Sequence, residues 1–172
     1  MQSLAALRHF DFNAAGAYAY EQAVETIRQL QLPAFDVEQQ FRRAVLNVLI
    51  RNQDDHVKNI AFLMNREGEW RLSPAFDVSY AYNPAGSWTQ QHQMSLNGKR
   101  DHFELDDLLQ FGAFCGMKPA KARDIIEGIH EQVENWMAHA DRAGVPESLA
   151  ARLHLAMRRD LVNRQAGRVA RR

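Results

Sequence analysis

A single cysteine, Cys115, stands in 172 residues. That excludes an internal disulfide framework and any zinc site built from several thiolates. It fits a reducing compartment, and the expected role of Cys115 is that of a small apolar residue in a helix. Charge of one sign is missing too: Lys plus Arg and Asp plus Glu each number 21. Nothing in the bulk charge announces a nucleic acid or an acidic membrane as partner. No apolar run nears the roughly 20 residues of a membrane span, and the apolar part of Met1–Arg8 is too short for a signal peptide. The expected location is the cytoplasm, with no membrane partner. Gly16 and Gly68 stand alone, and no glycine-rich loop precedes Asp54. Internal repeats and low-complexity segments are absent. The length suits one domain, residues 1–172, with a full core.

Against these absences one stretch stands out, Asn52-Gln53-Asp54-Asp55-His56-Val57-Lys58-Asn59, in which only Val57 is apolar. Core-forming segments flank it on both sides. Polar groups this dense are costly to bury without partners, so their retention implies a use. Before it, Val37, Phe41, Val45, Val48 and Leu49 form one helical stripe. Asp36 with Gln39 three residues on has the form of a capping box for that helix. An earlier helix is expected over about Ala17–Leu30, ended by Leu32-Pro33. Residues 1–15, with His9-Phe10-Asp11-Phe12-Asn13, read as an ordered loop.

After the polar stretch, Ile60–Met64 and Glu69–Leu72 read as short strands joined by Asn65-Arg66-Glu67-Gly68. The hairpin turns the chain back, bringing Ala75-Phe76-Asp77-Val78 towards Asp54–Asn59. Residues 79–102 hold two turn signals, Asn83-Pro84-Ala85-Gly86 and Asn97-Gly98, and read as irregular or short-strand structure. Helices resume with Leu105–Phe114, ending near Gly116. A stripe from Ile125 through Trp136 and Met137 follows, with both of these in the core, and stops before Gly144. A last helix opened by Pro146 carries Leu149, Leu153, Met157 and Leu161 on one face. The expected fold class is mainly α, with a small β-hairpin carrying the polar loops.

The chemistry follows from the ligand types. Asp54, Asp55, Asn59 and Asp77 offer hard oxygens, which suit Mg²⁺ or Mn²⁺. The spacing is not that of an EF-hand, and His56 has no second histidine at i+4 to make a zinc pair. Mg²⁺ held by one or two carboxylates points to phosphate chemistry. Phosphoryl transfer asks for one carboxylate at the acceptor hydroxyl, then an amide and a further carboxylate on the metal. Four residues separate Asp54 from Asn59, the kinase spacing, and so select Asp54 as the base. Asp77 follows after the hairpin as the second metal carboxylate. Asp55 is expected to hydrogen-bond backbone within its loop.

Asn52–Asn59, followed by Leu72-Ser73-Pro74-Ala75-Phe76-Asp77 and by Met94–Lys99, resembles the HipA-type serine/threonine kinases, toxins of bacterial HipA–HipB toxin–antitoxin pairs. The resemblance is closest over Tyr18–Asp107. It implies a protein-kinase-like C-lobe helical bundle with ATP as co-substrate. It implies Asp54 as catalytic base, Mg²⁺ on Asn59 and Asp77, and His56 and Lys58 near the transferred phosphate. It also implies a HipB-like antitoxin as partner, with DNA reached only through it. The protein substrate would belong to the translation machinery, aminoacyl-tRNA synthetases among the options. The family's amino-terminal lobe, with its phosphate loop, anchoring lysine and regulatory serine, has no counterpart before Asp54. The chain is therefore expected to be the carboxy-terminal lobe alone, inactive unless an N-lobe is supplied, on another chain if the kinase is split.

Two other readings remain. One is an inactive lobe that binds a partner, either the missing lobe or an antitoxin. The other is an Mg²⁺-dependent phosphohydrolase or nuclease on Asp54, Asp55 and Asp77, which lacks the denser carboxylate cluster of two-metal sites. His92, Lys99 and Arg100 are read as a solvated loop, with contact to phosphate or protein substrate as the alternative. Arg158, Arg159, Arg164, Arg168, Arg171 and Arg172 are read as a solvated helix end, with a nucleic-acid patch as the alternative.

Overall fold

The computed structural model describes residues 1–163. Two segments give the domain its frame. Helix α3 (Ala34–Ile50) is the central support, and β2 (Ala61–Met64) with β3 (Trp70–Leu72) forms the hairpin beyond it. The expected stripe of α3 is its buried face: Phe41, Val45, Val48 and Leu49 are fully buried. The helix begins two residues before Asp36, on Pro33. Asp36 is therefore not an N-cap. It is buried in the first turn and accepts the Leu72 amide at 3.2 Å, tying α3 to β3.

The amino terminus differs from the expected loop. Gln2–Ser3 is a strand, β1, antiparallel to β2 with Gln2 opposite Phe62, so the sheet runs β1-β2-β3. The Ser3 hydroxyl then caps α1 (Leu4–Arg8) by accepting the Ala6 amide. Two residues are too few to show an alternating pattern, which is why the strand is silent in the sequence. The hairpin register pairs Phe62 with Leu72 and Met64 with Trp70. Its turn uses Gly68 at φ 84°, where only glycine is free of strain.

Helix α2 (Tyr20–Gln29) packs on α3. On the far side α4 (Leu105–Phe114) and α5 (Pro119–Glu134) complete the core. Residues 79–102 have no strand of their own; they touch the rest through isolated bridges such as Ala19–Ser95. Cys115 is buried after α4, and burial pushes its thiol up to about 12.

The long stripe ends sooner than its apolar pattern. It breaks at Asn135 into α5 and α6 (Trp136–Arg142). Trp136 packs against the core, and its indole donates to the Ala150 carbonyl at 2.9 Å. Met137 instead lines a hollow beside Val145 and Glu147. The last helix also breaks. After α7 (Glu147–Ala156) the backbone at Met157 is extended, ψ 154°, before α8 (Asp160–Asn163). Met157 and Leu161 are both buried, so the i, i+4 spacing survives while the helix does not.

Close packing of α4 on α5 makes one prediction. A methyl at Gly112 would sit 2.7 Å from the Ala122 Cβ. Gly112→Ala is expected to destabilise the fold by about 1–3 kcal/mol through overpacking, read from urea unfolding.

Candidate functional site

The site begins where α3 stops. Arg51 takes the left-handed conformation, φ 57°, and turns the chain into Asn52. Asn52 and Gln53 are buried at once, Asp55 and Val57 follow, and Asp54, His56 and Asn59 are half-buried. The loop thus alternates between facing the core and facing out. Asn59 closes it by donating from its side-chain amide to the Asp54 carbonyl at 3.0 Å. That bond spends the NH₂ end of the amide on the loop and leaves its oxygen free for a ligand.

Asp77 comes back to this loop as the hairpin topology predicts. The Asn52 side-chain NH₂ donates to the Asp77 carbonyl at 3.3 Å. Asp77 is exposed and left-handed, φ 54°, a conformation that aspartate tolerates better than most residues. Arg43 fixes the approach to it by donating to the Ser73 carbonyl at 2.6 Å. Asn59, Asp77 and His56 line one cleft, floored by Gln40, Asn47 and Asn52. Asp54 is not among the cleft-lining residues. Lys58 is exposed and lies over the Phe12 ring, 3.6 Å from its centroid. Among the described residues the Asp54 and Asp77 carboxylates have no hydrogen-bond or ion-pair partner.

The cleft holds unspent polar capacity. Asn52 Oδ1, His56 Nδ1 and both side-chain atoms of Gln40 are buried without a partner. Orphaned polar atoms cost stability unless something meets them. A carboxylate on Asp77, an amide oxygen on Asn59 and open water positions suit Mg²⁺, which keeps several waters beside one or two carboxylates. Among the described residues no group of three or more His, Cys, Asp or Glu gathers as a metal cage. This also removes the dense carboxylate cluster that the nuclease reading asks for.

Contrary to expectation, Asp55 does not bond backbone within its own loop; its partners come from elsewhere in the chain. It is 3 % exposed and accepts from Tyr20 Oη at 2.7 Å and from the Gln93 amide at 2.7 Å. His92 Nδ1 meets the same carboxylate at 2.7 Å. Burial alone would raise the Asp55 carboxyl, but His92, Tyr20 and the Gln93 amide together hold it below the usual carboxylate range. Burial, and then the Asp55 charge, push the Tyr20 hydroxyl well above its ordinary value. Tyr20 in turn accepts from Asn47 at 2.9 Å, and Asn47 accepts from Asn52 at 3.1 Å. One hydrogen-bonded chain therefore runs from Asp55 through α2 and α3 to the backbone of Asp77.

The solvated-loop reading of the 92–100 segment needs correcting at His92. His92 is fully buried and meets the Asp55 carboxylate, so it is not solvated. Lys99 pairs with Asp107 at 2.8 Å, and Arg100 donates to the His92 carbonyl at 2.6 Å. The sequence reading also missed Gln40, Arg43 and Asn47. Their spacing of three and four is a polar stripe on α3 beside the apolar one, and the same helical period would have found it. Nothing local marks Tyr20 or His92.

These elements define a mainly helical domain with a small antiparallel sheet, built like the carboxy-terminal lobe of a kinase, with two polar loops meeting at one cleft. The chain belongs to the HipA-like C-terminal domain family, whose model matches residues 1–137. It is also similar to a chain in a solved complex from Shewanella oneidensis MR-1, that of the toxin–antitoxin proteins HipA and HipB with operator DNA. The TM-score is 0.67 at 19% identity, over 80% of this chain and 33% of the other. The chain thus spans about a third of that solved protein. No curated protein sequence matches it.

Proposed function

We propose that this domain is the catalytic-lobe portion of an ATP- and Mg²⁺-dependent protein serine/threonine kinase of the HipA type. The observation that carries the reading is the meeting of Asn59 and Asp77 at one cleft, with the Asp54 backbone carbonyl held by the Asn59 amide across the loop. Asp54 accepts or orients the proton of the acceptor hydroxyl. Asn59 and Asp77 hold Mg²⁺, which when bound neutralises charge on the ATP phosphates. His56, in the cleft wall, faces the transferred phosphate, and Lys58 adds positive charge from the loop's outer side. The acceptor is a protein of the translation machinery, such as an aminoacyl-tRNA synthetase. A HipB-like antitoxin is the regulatory partner, as the HipA–HipB complex suggests, and DNA is reached through it.

The test supplies this domain with an amino-terminal lobe and follows transfer of the γ-phosphate to serine or threonine. Mg²⁺-dependent transfer, lost in Asp77→Asn, is the expected result. Absence of transfer, or transfer indifferent to Asp77→Asn, contradicts the reading. Calorimetry of Mg²⁺-ATP against the 172-residue chain separates the alternative of an inactive partner-binding lobe, for which no nucleotide heat is expected.

A further inference from the structure

The Asp55 carboxylate is one end of a buried relay whose other end lies beyond the residues that the family match covers. Arg158 sits between α7 and α8, past residue 137. Read as part of a solvated tail, it is instead buried, its side chain 9% exposed. Its guanidinium meets His92 Nε2 at 3.0 Å, the Asp101 carboxylate at 2.7 Å and the Val48 carbonyl at 2.7 Å. Its amide donates to the Leu49 carbonyl at 2.8 Å. Val48 and Leu49 are in the last turn of α3, just before the catalytic loop.

A guanidinium has only donors. His92 Nε2 must therefore accept from Arg158, which puts the ring proton on Nδ1, where it is donated to Asp55. The groups facing His92 are Asp55 at Nδ1, Arg158 at Nε2, and the Phe103 ring edge-on at 5.3 Å. Arg100 reaches only its backbone carbonyl. Asp101, Arg51 and Asp55 are the charged groups around Arg158. Without the Arg158 guanidinium, Nε2 loses its donor and the end of α3 loses the bond at the Val48 carbonyl, while the backbone bond to Leu49 stays.

We propose that Arg158 is a positioning residue for the catalytic loop: through His92 it sets the acceptor geometry of Asp55, and through α3 it sets the point from which Asn52–Asn59 departs. The inference rests on the kinase reading for its consequence, since the loop so positioned carries Asp54 and Asn59. A group displaced by about 1 Å can cost about a hundredfold in rate.

The test is nitrogen-15 NMR on the 172-residue chain at neutral pH, which needs no phosphate transfer and so can fail independently of the kinase reading. In the wild type, His92 is expected to show a protonated Nδ1 and an accepting Nε2. In Arg158→Met, the His92 Nε2 resonance and the Gln53–Asn59 amides should shift while amides of α4 and α5 stay in place. Arg158→Lys, which keeps a cation with N–H donors but loses the planar fork, should move both back towards the wild type. An Nε2-protonated His92 in the wild type overturns the proposal, as do Gln53–Asn59 amides indifferent to Arg158→Met. Should Arg158→Met fail to fold, the wild-type tautomer and the lysine variant still decide.

Discussion

Asp54→Ala is expected to cut phosphate transfer by about 10²–10⁴-fold, the usual cost of a lost general base, while leaving the fold as stable as before. The second half of this expectation comes from the structure. The Asp54 side chain is half-buried, and among the described residues nothing pairs with it. Asn59 holds the Asp54 backbone carbonyl, which the substitution keeps. The check is initial rate in the lobe-complemented kinase beside urea unfolding of the same variant. Equal transfer by wild type and variant removes Asp54 from its role.

Asp55→Ala, one residue on, is expected to do the opposite damage. It strips the acceptor from Tyr20, His92 and the Gln93 amide at once, all in the core. Breaking a buried pair in this way costs about 3–5 kcal/mol, a fall in Tm on the order of 10 °C for a chain of this size. Its pH dependence has a definite sign. The folded Asp55 carboxyl lies below its ordinary value, so its contribution is present above the unfolded value of about 4 and is lost as pH falls through the folded one. Acid unfolding of the wild type should therefore reflect Asp55, and Asp55→Ala should flatten stability across that window. On the proposed function Asp54 is the reagent and Asp55 the foundation, and the assay that each variant fails tells them apart.

How much of this was legible in the residues depends on the range of the interaction. The stripe of α3 and the hairpin are local patterns, and both appear where the periods put them. The approach of Asp77 to the Asn52 loop followed from the hairpin's reversal and is seen in the bond to Asn52. The mainly helical fold with its small β element was borne out as a class. What the pattern could not carry are pairings across distance. Asp55 and His92 are 37 positions apart, and Arg158 is 66 beyond His92. A carboxylate, an imidazole and a guanidinium so separated look like three solvated charges until the chain folds. Asp36 misled for the reverse reason: the helix begins two residues earlier, on Pro33, and the carboxylate accepts the distant Leu72 amide. Met157 kept its place in an apolar period although the helix had ended, because burial and helicity share that period only while the backbone stays helical. Residues 164–172, with Arg164, Arg168, Arg171 and Arg172, lie outside the described residues.

The central claim is that Asn59 and Asp77 share one divalent cation. Titrating Mn²⁺, as a paramagnetic stand-in for Mg²⁺, into the nitrogen-15-labelled chain tests it directly. The Asn59 side-chain amide and the Asp77 backbone amide are predicted to broaden first and together, and the effect should vanish in Asp77→Asn. Broadening that begins elsewhere, or that survives Asp77→Asn unchanged, would contradict it.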